Sequence, residues 1–259
     1  MIAYPNVILI VETFVTFVLA VTLHEAAHAF VAALLGDASP ISEGRLSLAP
    51  RRQMATVGTI VAIVSAVQPF PSGLGWGRPV RIDARRMRTG PNFGTILVAL
   101  AGPAVNLVLG LGIAAGLQFI PGYAQLGLRA RAESCSVGTW GLGLQTCLSG
   151  AQPAWVLRIE QFLFAFAVTN IVLALVNLIP LHPLDGYRVL FALLPNESAI
   201  AYRSYEPYME FTLLVIFFVL PYILALVHIG FSPTFWLFGL ANQIAGNFAS
   251  FIATFYLFL

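Results

Sequence analysis

Residues 22–32 read TLHEAAHAFVA and close an almost unbroken apolar run that begins near residue 6. Two histidines and a glutamate are costly in such a place, because ionisable side chains inside a membrane-length helix are rare and usually functional. Their spacing also carries structural information. His24 and His28 stand four residues apart, which on an α-helix puts both imidazoles on one face with Cβ atoms about 5–6 Å apart. The segment reads as a membrane helix with a polar face in its later half.

The rest of the chain agrees with that setting. Of 259 residues, 59% are hydrophobic and 9% charged, and the mean hydropathy is +0.86. A soluble domain carries about 25% charged residues, so the composition predicts an all-α polytopic membrane protein. The formal net charge of +2 is too small to suggest a nucleic-acid partner. The first apolar segment lacks a basic leader and a small-residue cleavage site, so it is expected to be a retained span. Cys135 and Cys147 share one polar stretch; in an oxidising compartment they could close a short loop, and in the cytosol they would stay thiols.

Apolar stretches of about 20 residues, enough to cross a bilayer, run approximately over 6–35, 93–120, 156–181, 207–229 and 233–258. A shorter one at 55–72 ends in a Pro/Gly-rich break. Arginines flank it on both sides: Arg45, Arg51 and Arg52 before, Arg78, Arg81, Arg85, Arg86 and Arg88 after. The positive-inside rule puts both clusters in the cytoplasm, so 55–72 is expected to enter the membrane and return. That is tolerated where other helices bury its backbone. The first span then descends to the cytoplasm, 93–120 ascends, the loop 121–155 lies outside, and 156–181 descends again. No internal repeat or soluble module interrupts the chain. The expectation is one domain over 1–259, with a catalytic core at about 5–190 and a C-terminal transmembrane hairpin at about 207–259.

His24-Glu25-x-x-His28 is the pattern of zinc hydrolases, in which both histidines ligate the metal and the glutamate is general base for the attacking water. A catalytic zinc usually has three protein ligands and one open position. The third is sought in NLIPLHPLDGYRVL, residues 177–190, at the cytoplasmic end of a descending span. The expected topology brings Asp185 to the depth of His24 and His28. His182 is three residues away, and imidazole suits zinc well, so sequence chemistry alone leaves His182 and Asp185 both open.

HEAAH at 24–28, AGPAVN at 101–106 and NLIPLHPLDG at 177–186 together resemble the site-2 protease family of intramembrane zinc metalloproteases. GRLSLAP and GWGRPV also resemble linkers of compact members without PDZ or CBS domains. The resemblance covers roughly residues 20–190. It implies one Zn2+ per chain held by His24, His28 and Asp185, Glu25 as base, and Asn106 beside the scissile peptide of a transmembrane protein substrate. It further implies about five transmembrane helices, a re-entrant segment and a small β-like loop near the active site, matched here to about 36–50. Two departures touch loops and not ligands: Tyr187 stands where relatives often have a second glycine, and RRQMATVG follows LSLAP.

The residues beside the motifs have plainer readings too. Gly102, Asn106 and Gly110 recur every four residues, so Asn106 could be interhelical glue among small side chains. Asn170 and Asn177 face similar alternatives, with Asn177 favoured as a structural support of the site. Arg188 is expected to snorkel toward headgroups, and Glu12 is given no role. Hydrolysis of a peptide bond within or beside a membrane-spanning substrate helix is the expected activity, in an integral protein of a prokaryotic plasma membrane with its site toward the cytoplasm. An inactive zinc-binding interaction module and a metal or proton transporter are the alternatives. Glu25 argues against the first and the lack of repeated halves against the second.

Overall fold

The computed structural model describes residues 7–67, 74–119 and 154–257. These form α1 (Val7–Leu35), α2 (Ser39–Ser42), α3 (Pro50–Gln53), α4 (Thr56–Val67), α5 (Pro91–Leu117), α6 (Ala154–Asn177), α7 (Asp185–Leu193), α8 (Asn196–Ser204), α9 (Glu206–Leu226) and α10 (Pro233–Leu257). Helices α1, α5 and α6 pack together at the centre. The close approach has a sequence cause: a Cβ on Gly110 of α5 would meet Ile171 Cγ1 at 2.6 Å and the Ala167 carbonyl at 2.8 Å. Small residues thus let α5 and α6 touch backbone to side chain, as membrane helices commonly do. Phe17, Ala20 and Val21 of α1 share a buried cluster with Ala62 of α4 and Leu173 of α6. On the far side, Leu237, Phe238, Ala241 and Ala245 of α10 pack with Ala167, Val168, Ile171 and Val172 of α6.

Four of the described helices are long and apolar enough to cross a membrane: Ile10–Leu35, Pro91–Leu117, Ile159–Asn177 and Glu206–Leu226. The last passes through a π turn at Val215–Val219 just before Pro221, where the missing proline N–H would otherwise break the ladder. The expected fifth span forms α10, a 25-residue helix, but it is not among these four. Asn242, Gln243 and Asn247 interrupt its apolar length.

Of the stretch 55–72, expected to enter the membrane and return, residues 55–67 are described and carry α4. α4 has 12 residues, about 18 Å of helix, too short for a hydrocarbon core of about 30 Å. Met54 and Gly77 form an antiparallel bridge, and Arg78 N–H donates to the Gln53 carbonyl at 2.6 Å. The two ends of the excursion therefore meet.

The β-like loop expected at 36–50 takes a different form. Pro40 opens the single turn α2, and Gly44, at φ 67°, lets the chain reverse so that Arg45 N–H bonds the Pro40 carbonyl at 2.9 Å. Among the described residues the β pairing is the single Met54–Gly77 bridge and no sheet forms. Asp37 ties this loop down, accepting from the backbone N–H of Ser39 at 2.9 Å and of Asp83 at 2.6 Å. Burial alone would raise its carboxyl; these bonds hold it below the ordinary carboxylate range.

Candidate active site

The polar face of α1 is buried against α5. His24, Glu25 and His28 are each no more than 5% exposed, and the two imidazoles meet edge to face with centroids 4.6 Å apart. Space for them comes from Gly102. A Cβ there would lie 2.5 Å from both His24 Cε1 and His28 Nε2, so any larger residue would invade the rings.

Asp185 reaches the same point from the other end of the fold. The chain leaves α6 through residues 178–184, with a cis peptide at His182–Pro183, and Asp185 opens α7. Gly186 allows the tight return, since a Cβ on it would stand 2.5 Å from the Ile179 carbonyl. Asp185 Oδ2 then lies 2.9 Å from His24 Nε2 and 3.2 Å from His28 Nε2. His182 is not brought there; its Nε2 faces Glu206 Oε1 at 3.5 Å, and its ring meets Tyr187 edge to face. Of the two residues left open by the sequence, Asp185 is the one that lies beside both histidines.

These three side chains suit a metal ion. Their candidate ligand atoms all lie within 4.8 Å of one another. Two donors 2.0–2.1 Å from one tetrahedral zinc would be about 3.3 Å apart, close to the separations observed. With Nδ1 donating to the Val98 carbonyl at 2.6 Å, the neutral His28 ring has only a lone pair at its buried Nε2, and Asp185 Oδ2, 3.2 Å away, is an acceptor too. A buried nitrogen left with a free lone pair is unusual, and ligation would satisfy it.

Glu25 borders a cavity of about 20 Å³, room for one water. The cavity is also bounded by His24, His28, Asp185, Asn177 and Arg188, and it is covered by residues 75–80 after α4. Gly77 lies directly on the Glu25 carboxylate, where a Cβ would clash. Arg45 Nη2 stands 3.8 Å from Glu25 Oε2, while its guanidinium donates to the carbonyls of Arg52 and Arg78. Arg188 holds the same covering segment, donating to the Val80 carbonyl at 3.2 Å. It does not simply extend to headgroups. The sequence showed Arg45 only as a topology signal; the glycines and prolines of GRLSLAP and GWGRPV are the signal from which close packing of these loops could have been read.

Asn106 is fully buried, with Nδ2 3.2 Å from His24 Nδ1, and it is not among the residues bounding the cavity. Asn177 does bound it, with Nδ2 donating to the Leu173 carbonyl at 2.9 Å. Asn170 bonds the Phe166 carbonyl within its own helix. Glu12 is three turns of α1 before His24, about 18 Å along the axis. Cys135 and Cys147 lie outside the described residues.

The chain is 31% identical over 207 residues to "Putative zinc metalloprotease YwhC" of Bacillus subtilis (strain 168), an alignment covering 80% of each chain. No solved structure gives a significant match. Residues 12–220 match the family described as Peptidase family M50, a span that takes in His24, Glu25, His28 and Asp185. The chain is a membrane-embedded member of peptidase family M50.

Proposed function

We propose that this protein is an intramembrane zinc metalloprotease that hydrolyses a peptide bond within or at the edge of a substrate's transmembrane helix. The observation that carries the reading is the convergence of His24, His28 and Asp185 on one point beside Glu25, inside a bundle of membrane-length helices. His24, His28 and Asp185 hold one zinc ion, and Glu25 is the general base. One domain spans the chain, with its site toward the cytoplasmic side of a prokaryotic plasma membrane, where the flanking arginines point.

Zinc bound there supplies Lewis acidity, lowering the pKa of water from 15.7 toward about 7 and polarising a carbonyl. Glu25 takes the proton that the attacking water gives up as the new C–O bond forms. The same proton passes from Glu25 to the amide nitrogen as the C–N bond breaks, which returns Glu25 to its starting state. Arg45, anchored on two backbone carbonyls, stands 3.8 Å from the Glu25 carboxylate and supplies positive charge beside it. Asn177 faces the cavity and is placed to donate to substrate or to the developing oxyanion.

Access imposes a second requirement. The carbonyls of a substrate helix are engaged in its own hydrogen bonds, so the helix must unwind locally, and the cavity has no room for it while residues 75–80 cover Glu25. The covering segment moves to admit substrate, and its extended backbone can pair with the unwound strand.

The test is Glu25→Gln in the detergent-purified protein, with zinc content and cleavage of a membrane-protein substrate measured together. The expected result is zinc retained at about one per chain, with cleavage reduced about 10²- to 10⁴-fold. Folded wild-type protein without zinc would overturn the reading, and so would a variant with undiminished cleavage.

A further inference from the structure

The two imidazoles of the site are held in parallel ways. Each turns Nε2 toward Asp185 Oδ2 and Nδ1 toward α5. His28 Nδ1 meets the Val98 carbonyl at 2.6 Å, and His24 Nδ1 meets the Asn106 side chain at 3.2 Å. Val98, Gly102 and Asn106 follow one another at four-residue intervals, so they form one stripe along α5. The outer two members grip the rings, and the middle one leaves room for them.

Asn106 makes no other side-chain hydrogen bond among the described residues. It is 0% exposed and does not border the cavity. Its Oδ1 is buried without a hydrogen-bond partner. A histidine that ligates through Nε2 carries its proton on Nδ1 and needs an acceptor there, which fixes both tautomer and ring orientation. The Gly102 carbonyl also makes a backbone hydrogen bond to the ring, one that it shares with the Asn106 backbone N–H four residues on. An amide keeps nearly the same shape when its oxygen and nitrogen exchange places. With Oδ1 toward His24, the orphaned acceptor and the ring N–H satisfy each other.

The geometry points to Asn106 as a positioning residue that acts through His24, its amide oxygen accepting from Nδ1–H so that Nε2 is aimed at the metal. This rests on the zinc reading above and departs from the expected contact between Asn106 and the scissile peptide. The acceptor is what matters. A carboxylate of the same shape should serve as well, and an apolar group of similar volume should not.

The experiment measures zinc retention against a competing chelator for wild type, Asn106→Asp, Asn106→Leu and Asn106→Ala. All are full-length and detergent-purified, and the thermal transition of each metal-free protein is recorded alongside. Asn106→Leu and Asn106→Ala should hold zinc about 10- to 100-fold more weakly than wild type, while Asn106→Asp should hold it at least as tightly. If one apolar variant fails to fold, the other is read. Equal zinc affinity in wild type and the folded apolar variants would overturn the assignment. Loss of cleavage at unchanged affinity would return Asn106 to the substrate. Wild type that binds no zinc would instead overturn the metal reading itself, a separate outcome.

Discussion

A single methylene's worth of space decides whether the site can exist. Gly102 is where α5 passes closest to the two imidazoles, and a Cβ there would stand 2.5 Å from atoms of both rings. Neither ring can retreat, because His28 Nδ1 is tied to the Val98 carbonyl and His24 is wedged between Asn106 and Asp185. Gly102→Ala should therefore weaken zinc retention by at least about tenfold while costing only about 1–3 kcal/mol of fold stability, the usual range for overpacking. Chelator competition and a thermal melt separate the two effects. Gly110→Ala is the control. It crowds Ile171 and the Ala167 carbonyl, away from the metal point, so it should lower the melting temperature and leave zinc affinity unchanged. At this scale the sequence was most legible. His24, Glu25 and His28 stood out because ionisable groups are conspicuous in an apolar chain, whereas Asp185 was favoured over His182 only by the family resemblance. The duty of Asn106 was not legible, since a motif shows that an amide is present and not which nitrogen it faces.

Between residues and the whole fold, the loops around α4 are what lies over the cavity beside Glu25. Arg45 and Arg188 reach the segment 75–80 from two different elements and bind carbonyls two residues apart, those of Arg78 and Val80. Asp37 fastens the neighbouring stretch through the backbone of Ser39 and Asp83. Its folded carboxyl lies below its ordinary value, so the group stabilises the protein above the unfolded pKa of about 3.9. That contribution is lost as pH falls through the folded pKa. Asp37→Asn should consequently melt roughly 3–6 °C below wild type at pH 7, with the gap closing progressively below pH 4. A gap that is the same at pH 7 and pH 3 would show that the carboxylate's charge plays no part. The β-like form expected here came from the family resemblance, and short segments punctuated by proline and glycine have no periodicity with which to correct it. Pro40 and Gly44 specify a helical turn and a reversal, not a strand. Arg45 was hidden for a similar reason, since one basic residue after a span is first of all a topology marker.

At the scale of the whole molecule, the arrangement depends on the excursion of α4 returning to the side it left. The Met54–Gly77 bridge and the Arg78–Gln53 hydrogen bond join its two ends, which puts Arg51 and Arg52 on the same side as Arg78, Arg85 and Arg86. With α5 then crossing once and α6 crossing back, the end of α6 falls level with the later half of α1, and Asp185 meets His24 and His28. A full crossing by 55–72 would send Asp185 out on the opposite face, so the topology and the metal point stand or fall together. Single cysteines at Arg51 and Arg85, in a background with Cys135 and Cys147 replaced by serine, test this in membrane vesicles. A membrane-impermeant maleimide should label both positions from inside-out vesicles and neither from right-side-out ones. Native Cys135 and Cys147, which fall in sequence between the second and third spans, should label after reduction with the opposite preference in the unmodified chain. Opposite preferences at positions 51 and 85 would mean that 55–72 crosses completely, and the three ligands could not then share one metal ion.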